Sequence, residues 1–323
     1  ALGDAVNVAA RMEQTAVPGT LQISADTHRL VEPLFEFEQL DPIAVKGKSE
    51  PVSPYRVIAD KARLPEHAVP HAADPLVGRD QELDILRTVA AEVRNGRGRV
   101  AAIIGDAGIG KSRLVDALRD DLRASDCLTP WAGGEDPARN VMRWAQARGL
   151  SYNSSVAYGP FIELFRGVFG LDADDDAAVS RERVKAAVAS VVDDADRVSM
   201  YLDVLLGIDP PEEAGTAIAE LPAPTLQRRI FTAVIDYIAS CSSETPAMLV
   251  FEDLHWVDSV SLALLEELLA ATDRTMLGVI VLMRPHRDEP SWRLHETAQR
   301  SFDHRYSPIF LQPLHADAAR TML

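Results

Sequence analysis

The stretch Gly105-Asp106-Ala107-Gly108-Ile109-Gly110-Lys111-Ser112 decides the fold of the chain around it. An apolar run, residues 100–104, enters this stretch, and a helical pattern, residues 113–122, leaves it. A glycine-rich turn between a strand and a helix lets successive backbone N–H groups point inward, where they and the helix dipole attract phosphate oxygens. The spacing G-x-x-x-x-G-K-[ST] therefore predicts that Lys111 contacts the β- and γ-phosphates of a nucleoside triphosphate and that Ser112 binds Mg²⁺.

Composition excludes several classes of protein. The chain has 323 residues, of which 47% are hydrophobic and 25% are charged, as in a globular protein with two domains or one large domain. Its net charge of −16 argues against broad binding to nucleic acid or to an anionic membrane surface. No apolar run approaches the roughly 20 residues of a membrane-spanning helix. Cys127 and Cys241 lie far apart in the sequence, which favours reduced side chains in a cytoplasmic protein.

Periodicity divides the chain into three parts, which we predict to be a first domain at 1–60, a linker at 61–75 and a second domain at 76–323. The linker shows no periodicity and contains Pro65 and Pro70. The chain starts at Ala1, without a methionine, and stops at Leu323 inside a helical pattern, so we expect a piece of a longer protein.

The first domain alternates helices and short strands. A helix is predicted at 4–15, and Asn7 and Arg11 share one face of it because they are four residues apart. Two such side chains either clamp an anion or form a solvated surface. A second helix at 24–31, capped by Ser24, and strands at 20–23, 35–40, 43–46 and 51–58 complete this part.

The second domain contains two buried strands with polar residues at their ends. Residues 247–251 are apolar and lead into Glu252 and Asp253, and in parallel sheets ligands bind beyond such ends. One carboxylate there can hold Mg²⁺ and the other can orient the attacking water. Asp258 either approaches the nucleotide or caps the next helix. Arg284 follows the strand at 277–283 and either senses the γ-phosphate or pairs with a neighbouring acid.

The remaining segments are less decisive. We predict a strand at 127–131 and a last strand at 306–311; Pro130 lacks an N–H group, so it stands either in an edge strand or at the end of a strand. Helices are expected at 80–95, 158–169, 181–193, 197–206 and 224–241. Residues 133–157 show little pattern, and the proline-rich residues 207–222 indicate a connection.

The order of motifs in residues 76–318 resembles the signal-transducing P-loop ATPases related to the AAA+ class. The resemblance rests on the phosphate loop, on Glu-Asp-Leu-His-Trp-x-Asp at 252–258 and on Leu-Met-Arg-Pro at 282–285, between Val77-Gly78-Arg79 and Leu311-Gln312-Pro313-Leu314. It implies that Glu252 is the acid on the Mg²⁺ side, where the family usually has Asp, and that Asp253 orients water. These roles exchange if the strand ends one residue earlier.

Residues 1–58 resemble the C-terminal part of class III adenylate and guanylate cyclases. The matching order is Gly-Asp-x-Val-Asn-x-Ala-x-Arg, then Pro-Gly-x-Leu-x-Ile-Ser, then Val-Lys-Gly-Lys. The resemblance implies that Asn7 and Arg11 stabilise the transition state of phosphodiester closure, and that Lys46, or its neighbour Lys48, contacts the triphosphate. The metal-binding Asp residues and the base-selecting position of the family fall before Ala1. Cyclase sites form between two domains, which implies a homodimer.

Together these patterns predict an α/β fold, in which a P-loop NTPase parallel sheet flanked by helices is preceded by an incomplete α+β class III cyclase domain. The expected ligands are ATP and Mg²⁺, and we expect nucleic acid to be contacted only through domains outside this chain. The preferred interpretation is a regulatory ATPase of a bacterial signalling protein. The alternatives are a protein that is primarily an adenylate cyclase modulated by the ATPase, and a non-hydrolysing, nucleotide-dependent scaffold or transcriptional regulator.

We predict that this chain alone makes no cyclic nucleotide, because it carries at most half of a cyclase site and none of the family's metal-binding Asp residues. The purified chain, incubated with ATP or GTP and with Mg²⁺ or Mn²⁺, should give no more cyclic nucleotide than a blank reaction. Robust production of cyclic AMP would contradict this expectation.

Overall fold

The computed structural model describes residues 4–17, 19–32, 35–43, 52–60, 76–131, 141–149, 157–172, 174–210 and 212–314. The chain separates into two compact units, Ala1–Asp74 and Pro75–Leu323. The residues predicted to be a linker, 61–75, lie outside the described ranges. No helix in those ranges is both long and apolar enough to cross a lipid bilayer.

The first unit is a small α+β structure with an antiparallel sheet. Its elements are helix α1 (Asp4–Thr15), strand β1 (Gln22–Ser24), helix α2 (Ala25–Val31), strand β2 (Phe35–Gln39) and strand β3 (Pro54–Asp60). The strand order is β1-β3-β2. Ser24 caps α2 by accepting a hydrogen bond from the N–H of Thr27, as its sequence position predicted. Of the strand predicted at 43–46 only Ile43 is described, and it forms an isolated bridge with Val52.

The second unit is built on a six-stranded parallel sheet of order β5-β6-β7-β8-β4-β9. Its strands are β4 (Arg99–Ile104), β5 (Leu128–Pro130), β6 (Met142–Arg148), β7 (Ala247–Glu252), β8 (Leu277–Met283) and β9 (Tyr306–Phe310). Every residue of β7 and β8 is buried. Near-continuous apolar runs form strands of this kind because a parallel sheet is covered on both faces. The predicted α/β fold class is confirmed.

Helices cover both faces of this sheet. They are α3 (Asp80–Arg94), α4 (Lys111–Ala124), α5 (Gly159–Phe169), α6 (Ala177–Ala189), α7 (Ala195–Leu206), α8 (Glu212–Ala219), α9 (Ala223–Glu244), α10 (Ser259–Ala271) and α11 (Trp292–Ser301). Alternate strand residues enter opposite cores. Ile103 and Val250 pack in the cluster that contains α3 and α4, whereas Ile104 and Phe251 pack in the one that contains α5, α7, α9 and α10.

Two segments differ from the sequence-based expectation. Strand β6 lies within residues 133–157, which showed no clear pattern, and helix α8 lies within the expected connection at 207–222. Strand β6 escaped recognition because polar residues interrupt its apolar ones, in the order Met-Arg-Trp-Ala-Gln-Ala-Arg. The structure nevertheless places β6 inside the sheet, between β5 and β7.

One buried acid makes the stability of the second unit depend on pH. Asp203 of α7 is 3% exposed, and burial raises its pKa from 3.8 to about 7. The charge of Arg181, whose Nε lies 4.0 Å from Oδ2 of Asp203, opposes this rise. Since the folded chain holds this proton more tightly than the unfolded chain, Asp203 lowers the free energy of unfolding progressively from about pH 4 to pH 7.

We therefore predict that Asp203→Asn stabilises the second unit at pH 8 by about 2–4 kcal/mol and by less at pH 5. Urea unfolding at the two pH values measures the difference, and Asp209→Asn, an exposed acid nearby, serves as the matched control. An equal gain at both pH values would show that the protonation of Asp203 is not the cause.

Candidate nucleotide-binding site

The loop between β4 and α4 requires its glycines. Gly108 and Gly110 have φ angles of +75° and +100°, in the left-handed region that favours glycine. A Cβ atom at Gly105 would lie 2.9 Å from Cγ2 of Ile109 and 3.1 Å from Cβ of Leu311. The backbone of residues 105–110 therefore follows a path that other residue types would strain, and Gly110 is the residue that precedes the first turn of α4.

Lys111 lies inside this loop. Its side-chain Nζ donates hydrogen bonds to the backbone oxygens of Gly105 and Asp106, both at 2.9 Å, and the residue is 9% exposed. Burial lowers the pKa of the Lys111 ammonium, whereas the charge of Asp253 raises it and that of Arg284 lowers it further. A confined ammonium whose partners are carbonyl oxygens is suited to phosphate oxygens, which are acceptors with more negative charge.

Ser112 and Glu252, two of the three residues predicted to face Mg²⁺, lie in contact; the third is Asp253. The Ser112 hydroxyl donates to Oε2 of Glu252, which is the last residue of β7 and is 3% exposed. The side-chain amide of Gln146 donates to Oε1 of the same carboxylate, and Nη2 of Arg148 lies 3.3 Å from Oε2. The α4 terminus and the β7 tip are therefore joined through one carboxylate.

Asp253 adopts an unusual backbone conformation next to Glu252. Its φ of +55° lies in the left-handed region, which residues with a side chain seldom occupy and which occurs often at functional sites. Its side chain is 35% exposed, with Nε of Arg148 at 3.6 Å from Oδ2. Gly149 permits this turn, because a Cβ there would lie 2.6 Å from the backbone oxygen of Asp253.

Arg284 and His255 complete the surroundings of Lys111 and Asp253. Within the described ranges, Nε of Arg284 and both ring nitrogens of His255 are buried without hydrogen-bond partners. The Nδ1 atom of His255 lies 4.0 Å from Oδ1 of Asp253. Burial lowers the pKa of His255, and the charge of Arg284 lowers it further. Of the two alternatives for Arg284, pairing with a neighbouring acid is not seen among the described residues.

Asp258 caps α10. Its Oδ1 accepts hydrogen bonds from the backbone N–H groups of Val260 at 3.0 Å and Ser261 at 2.9 Å. The capping alternative therefore accounts for this acid.

Arg79 connects the segment before α3 and the segment after β9 with the phosphate loop. It is 6% exposed, and its Nη2 donates to the backbone oxygens of Gln312 at 2.7 Å and Ile109 at 3.4 Å. Its Nη1 forms an ion pair with Glu82 at 3.0 Å. The two sequence motifs that delimit the module, at 77–79 and 311–314, thus meet beside the loop.

Of the residues predicted from the cyclase resemblance, only Arg11 has its side chain in the described part of the chain. Asn7 and Arg11 both lie in α1, but the side chain of Asn7 is outside what is described. Arg11 is exposed and donates to Oε1 of Gln14 at 3.4 Å. Lys46 and Lys48 lie outside the described ranges.

Sequence reasoning missed three side chains at this site. Gln146 and Arg148 belong to β6, which was not recognised, so no signal could have pointed to them. His255 is different, because it stands two residues after Asp253 in the quoted Glu-Asp-Leu-His-Trp motif and was readable there.

The residues present fit a nucleotide with Mg²⁺. Among the described residues there is no cluster of three or more His, Cys, Asp or Glu that could hold a metal ion by itself. Magnesium is usually bound by one or two carboxylates together with substrate phosphates rather than by a cage of protein ligands. The Ser112 hydroxyl and the Glu252 carboxylate beside the loop are such a set.

Comparisons with known proteins give two family matches. Residues 75–282 match the model of the AAA ATPase domain, and residues 1–58 match that of the adenylate and guanylate cyclase catalytic domain. The chain is 25% identical over 289 residues to an uncharacterised protein of Rhizobium meliloti (strain 1021), covering 88% of this chain and 26% of that protein. It therefore spans about a quarter of the length of this relative.

Two solved structures are distantly similar in fold. Cdc6p from Pyrobaculum aerophilum is 10% identical with a TM-score of 0.39, over 76% of this chain and 48% of that one. The Aeropyrum pernix ORC1 protein in complex with DNA is 13% identical with a TM-score of 0.38, over 80% of this chain and 50% of that one. The first 58 residues are similar to the adenylate and guanylate cyclase catalytic domain, and the chain as a whole belongs to the AAA ATPase domain family.

Proposed function

We propose that the second unit is a regulatory ATPase, which binds ATP with Mg²⁺ and hydrolyses it as part of a cytoplasmic bacterial signalling protein. The observation that carries this proposal is the left-handed glycine loop that ends with Ser112 donating to Glu252. The AAA ATPase family match supports nucleotide binding by the same loop.

Each side chain has a role that its position supports. Backbone N–H groups at the α4 end of the loop and the Lys111 ammonium bind the triphosphate, in exchange for the carbonyl partners that Lys111 now has. Ser112 and Glu252 would hold Mg²⁺, which when bound neutralises charge on the phosphate oxygens. The half-exposed Asp253 orients and deprotonates the attacking water. Arg284, whose Nε has no hydrogen-bond partner among the described residues, faces the charge of the γ-phosphate.

The geometry favours one assignment of the two acids. Glu252 is buried against Ser112, whereas Asp253 leaves the strand in a left-handed turn and is the more exposed. A side chain that binds Mg²⁺ together with Ser112 must lie close to the Ser112 hydroxyl. A side chain that activates the attacking water must reach the solvent-exposed side of the site. Glu252 is accordingly proposed for the metal side and Asp253 for the water side.

The arrangement of domains is part of the proposal. We place a cyclase fragment at 1–60, a linker at 61–75 and the ATPase at 76–323, and the two family matches and the two compact units support this division. The ATPase would regulate a homodimer formed through complete cyclase domains, or contacts that domains outside this chain make with nucleic acid. ATP acts as a switch in such a protein if it binds two conformations of the protein with different affinities.

We predict that Lys111→Ala weakens ATP binding at least about 100-fold, because it removes a charge-assisted hydrogen-bond donor from a confined site. Calorimetry with Mg²⁺·ATP measures the affinity, and circular dichroism checks the fold. Lys185→Ala, which removes an exposed lysine of α6, is the matched control and should bind as the wild type does. Equal ATP affinity in Lys111→Ala and wild type would remove the loop from the proposed site.

We further predict that Asp253→Asn slows ATP hydrolysis by about 10²-fold or more while the dissociation constant of ATP changes by no more than a few-fold, because an amide cannot accept the proton of the water. Phosphate release at saturating ATP gives the rate. The control is Asp258→Asn, since asparagine also caps helices and this acid serves α10. Unchanged turnover in Asp253→Asn would exclude this residue from the mechanism.

A further inference from the structure

The side-chain amide of Gln146 has only one orientation that its neighbours allow. Its Oε1 lies 3.3 Å from Nη1 of Arg119 and 3.3 Å from Nε1 of Trp144. Guanidinium and indole N–H groups are donors and cannot accept, so the oxygen of the amide must face them. The NH₂ group is thereby directed at Oε1 of Glu252, to which it donates.

Arg119 is itself held in place within α4. Its Nη2 donates to Oδ1 of Asp116 at 2.7 Å, and the two residues are 7% and 8% exposed. This is the helix whose first turn carries Lys111 and Ser112. A chain of buried and partly buried polar contacts therefore runs from Asp116 and Arg119 in α4 to Gln146 in β6, and from there to Glu252 at the tip of β7.

The carboxylate of Glu252 receives a donor on each oxygen from this arrangement. Gln146 donates to Oε1, and Ser112 and Nη2 of Arg148 donate to Oε2. Glutamate has one more rotatable bond than aspartate, so a carboxylate at the end of it occupies more positions unless a neighbour restrains it. Holding Oε1 from β6 leaves Oε2 directed at the serine hydroxyl and at the phosphate loop.

We propose that Gln146 is the positioning residue of the metal side of the site: it orients the Glu252 carboxylate so that Oε2, together with Ser112, binds the divalent cation that accompanies the nucleotide. This inference rests on the proposed function of the loop. It does not involve Asp253 or the chemical step, and it concerns only how tightly the cation contributes to nucleotide binding.

The test compares the dissociation constant of a fluorescent ADP in Mg²⁺ and in EDTA, for the 323-residue chain and its variants. In wild type, Mg²⁺ should tighten ADP binding. In Gln146→Met the dissociation constant of ADP in EDTA should stay within about twofold of the wild-type value. The factor by which Mg²⁺ lowers that dissociation constant should be about tenfold smaller than in wild type, the usual effect of removing a partner of a metal ligand. Gln227→Met, which replaces a partly buried glutamine of α9, is the matched control and should behave as wild type.

A second variant keeps Gln146 and removes only what orients it. Arg119→Lys with Trp144→Phe retains a cation beside Asp116 and an aromatic ring in β6, but it releases the amide to rotate. The tightening by Mg²⁺ should fall at least about threefold in this double variant. If Gln146→Met fails to fold, the double variant alone tests whether Gln146 orients Glu252.

The outcomes separate this proposal from the one on which it rests. Undiminished tightening by Mg²⁺ in both the Gln146 variant and the double variant overturns the role of Gln146 and leaves the nucleotide site intact. Equal losses in EDTA and Mg²⁺ also overturn it, because they indicate damage to the loop. Absence of ADP binding in wild type overturns the proposed function and the role of Gln146 with it.

Discussion

The parallel register of β4, β8 and β7 is the constraint on which the rest of the second unit depends. Ile104 pairs with Met283, and Val281 pairs with Phe251, so the three strands end at one edge of the sheet. Because they end together, the phosphate loop, Arg284 and the pair Glu252–Asp253 emerge side by side although up to 179 residues separate them in sequence. Shifting one strand by one residue would turn its side chains into the opposite core and break this alignment.

Much of the fold could be predicted from the sequence because its central elements carry their own local signals. Strands β4, β7 and β8 are uninterrupted apolar runs, and the loop motif requires a strand before it and a helix after it; all of these are confirmed. Strand β6 could not be predicted, since Gln146 and Arg148 occupy positions where a buried strand would carry apolar side chains. Two of the three polar residues that interrupt this strand reach Glu252, which agrees with the general finding that local rules fail where function places its own demands.

The candidate site divides in the same way. The sequence pointed to the loop, to Glu252 and Asp253 and to Arg284, because each stands at the end of an element with a clear pattern. The sequence did not decide which of the two acids binds Mg²⁺ and which orients water. The left-handed turn at Asp253 separates their side chains, and hydrophobic periodicity does not predict such a turn. Contacts between distant strands, such as the one from Gln146 to Glu252, depend on sheet order and are therefore invisible in one sequence. The roles of Asn7, Arg11 and Lys46 remain predictions.

Arg79 has a consequence for how the module communicates. A single guanidinium group bonds the carbonyl of Ile109, inside the phosphate loop, and the carbonyl of Gln312, on the segment that leaves the last strand. The phosphate loop and the segment after β9 are thus bonded to the same guanidinium group. A change in the position of Ile109 therefore reaches Gln312 through the Arg79 side chain alone, with no residue of the core between them.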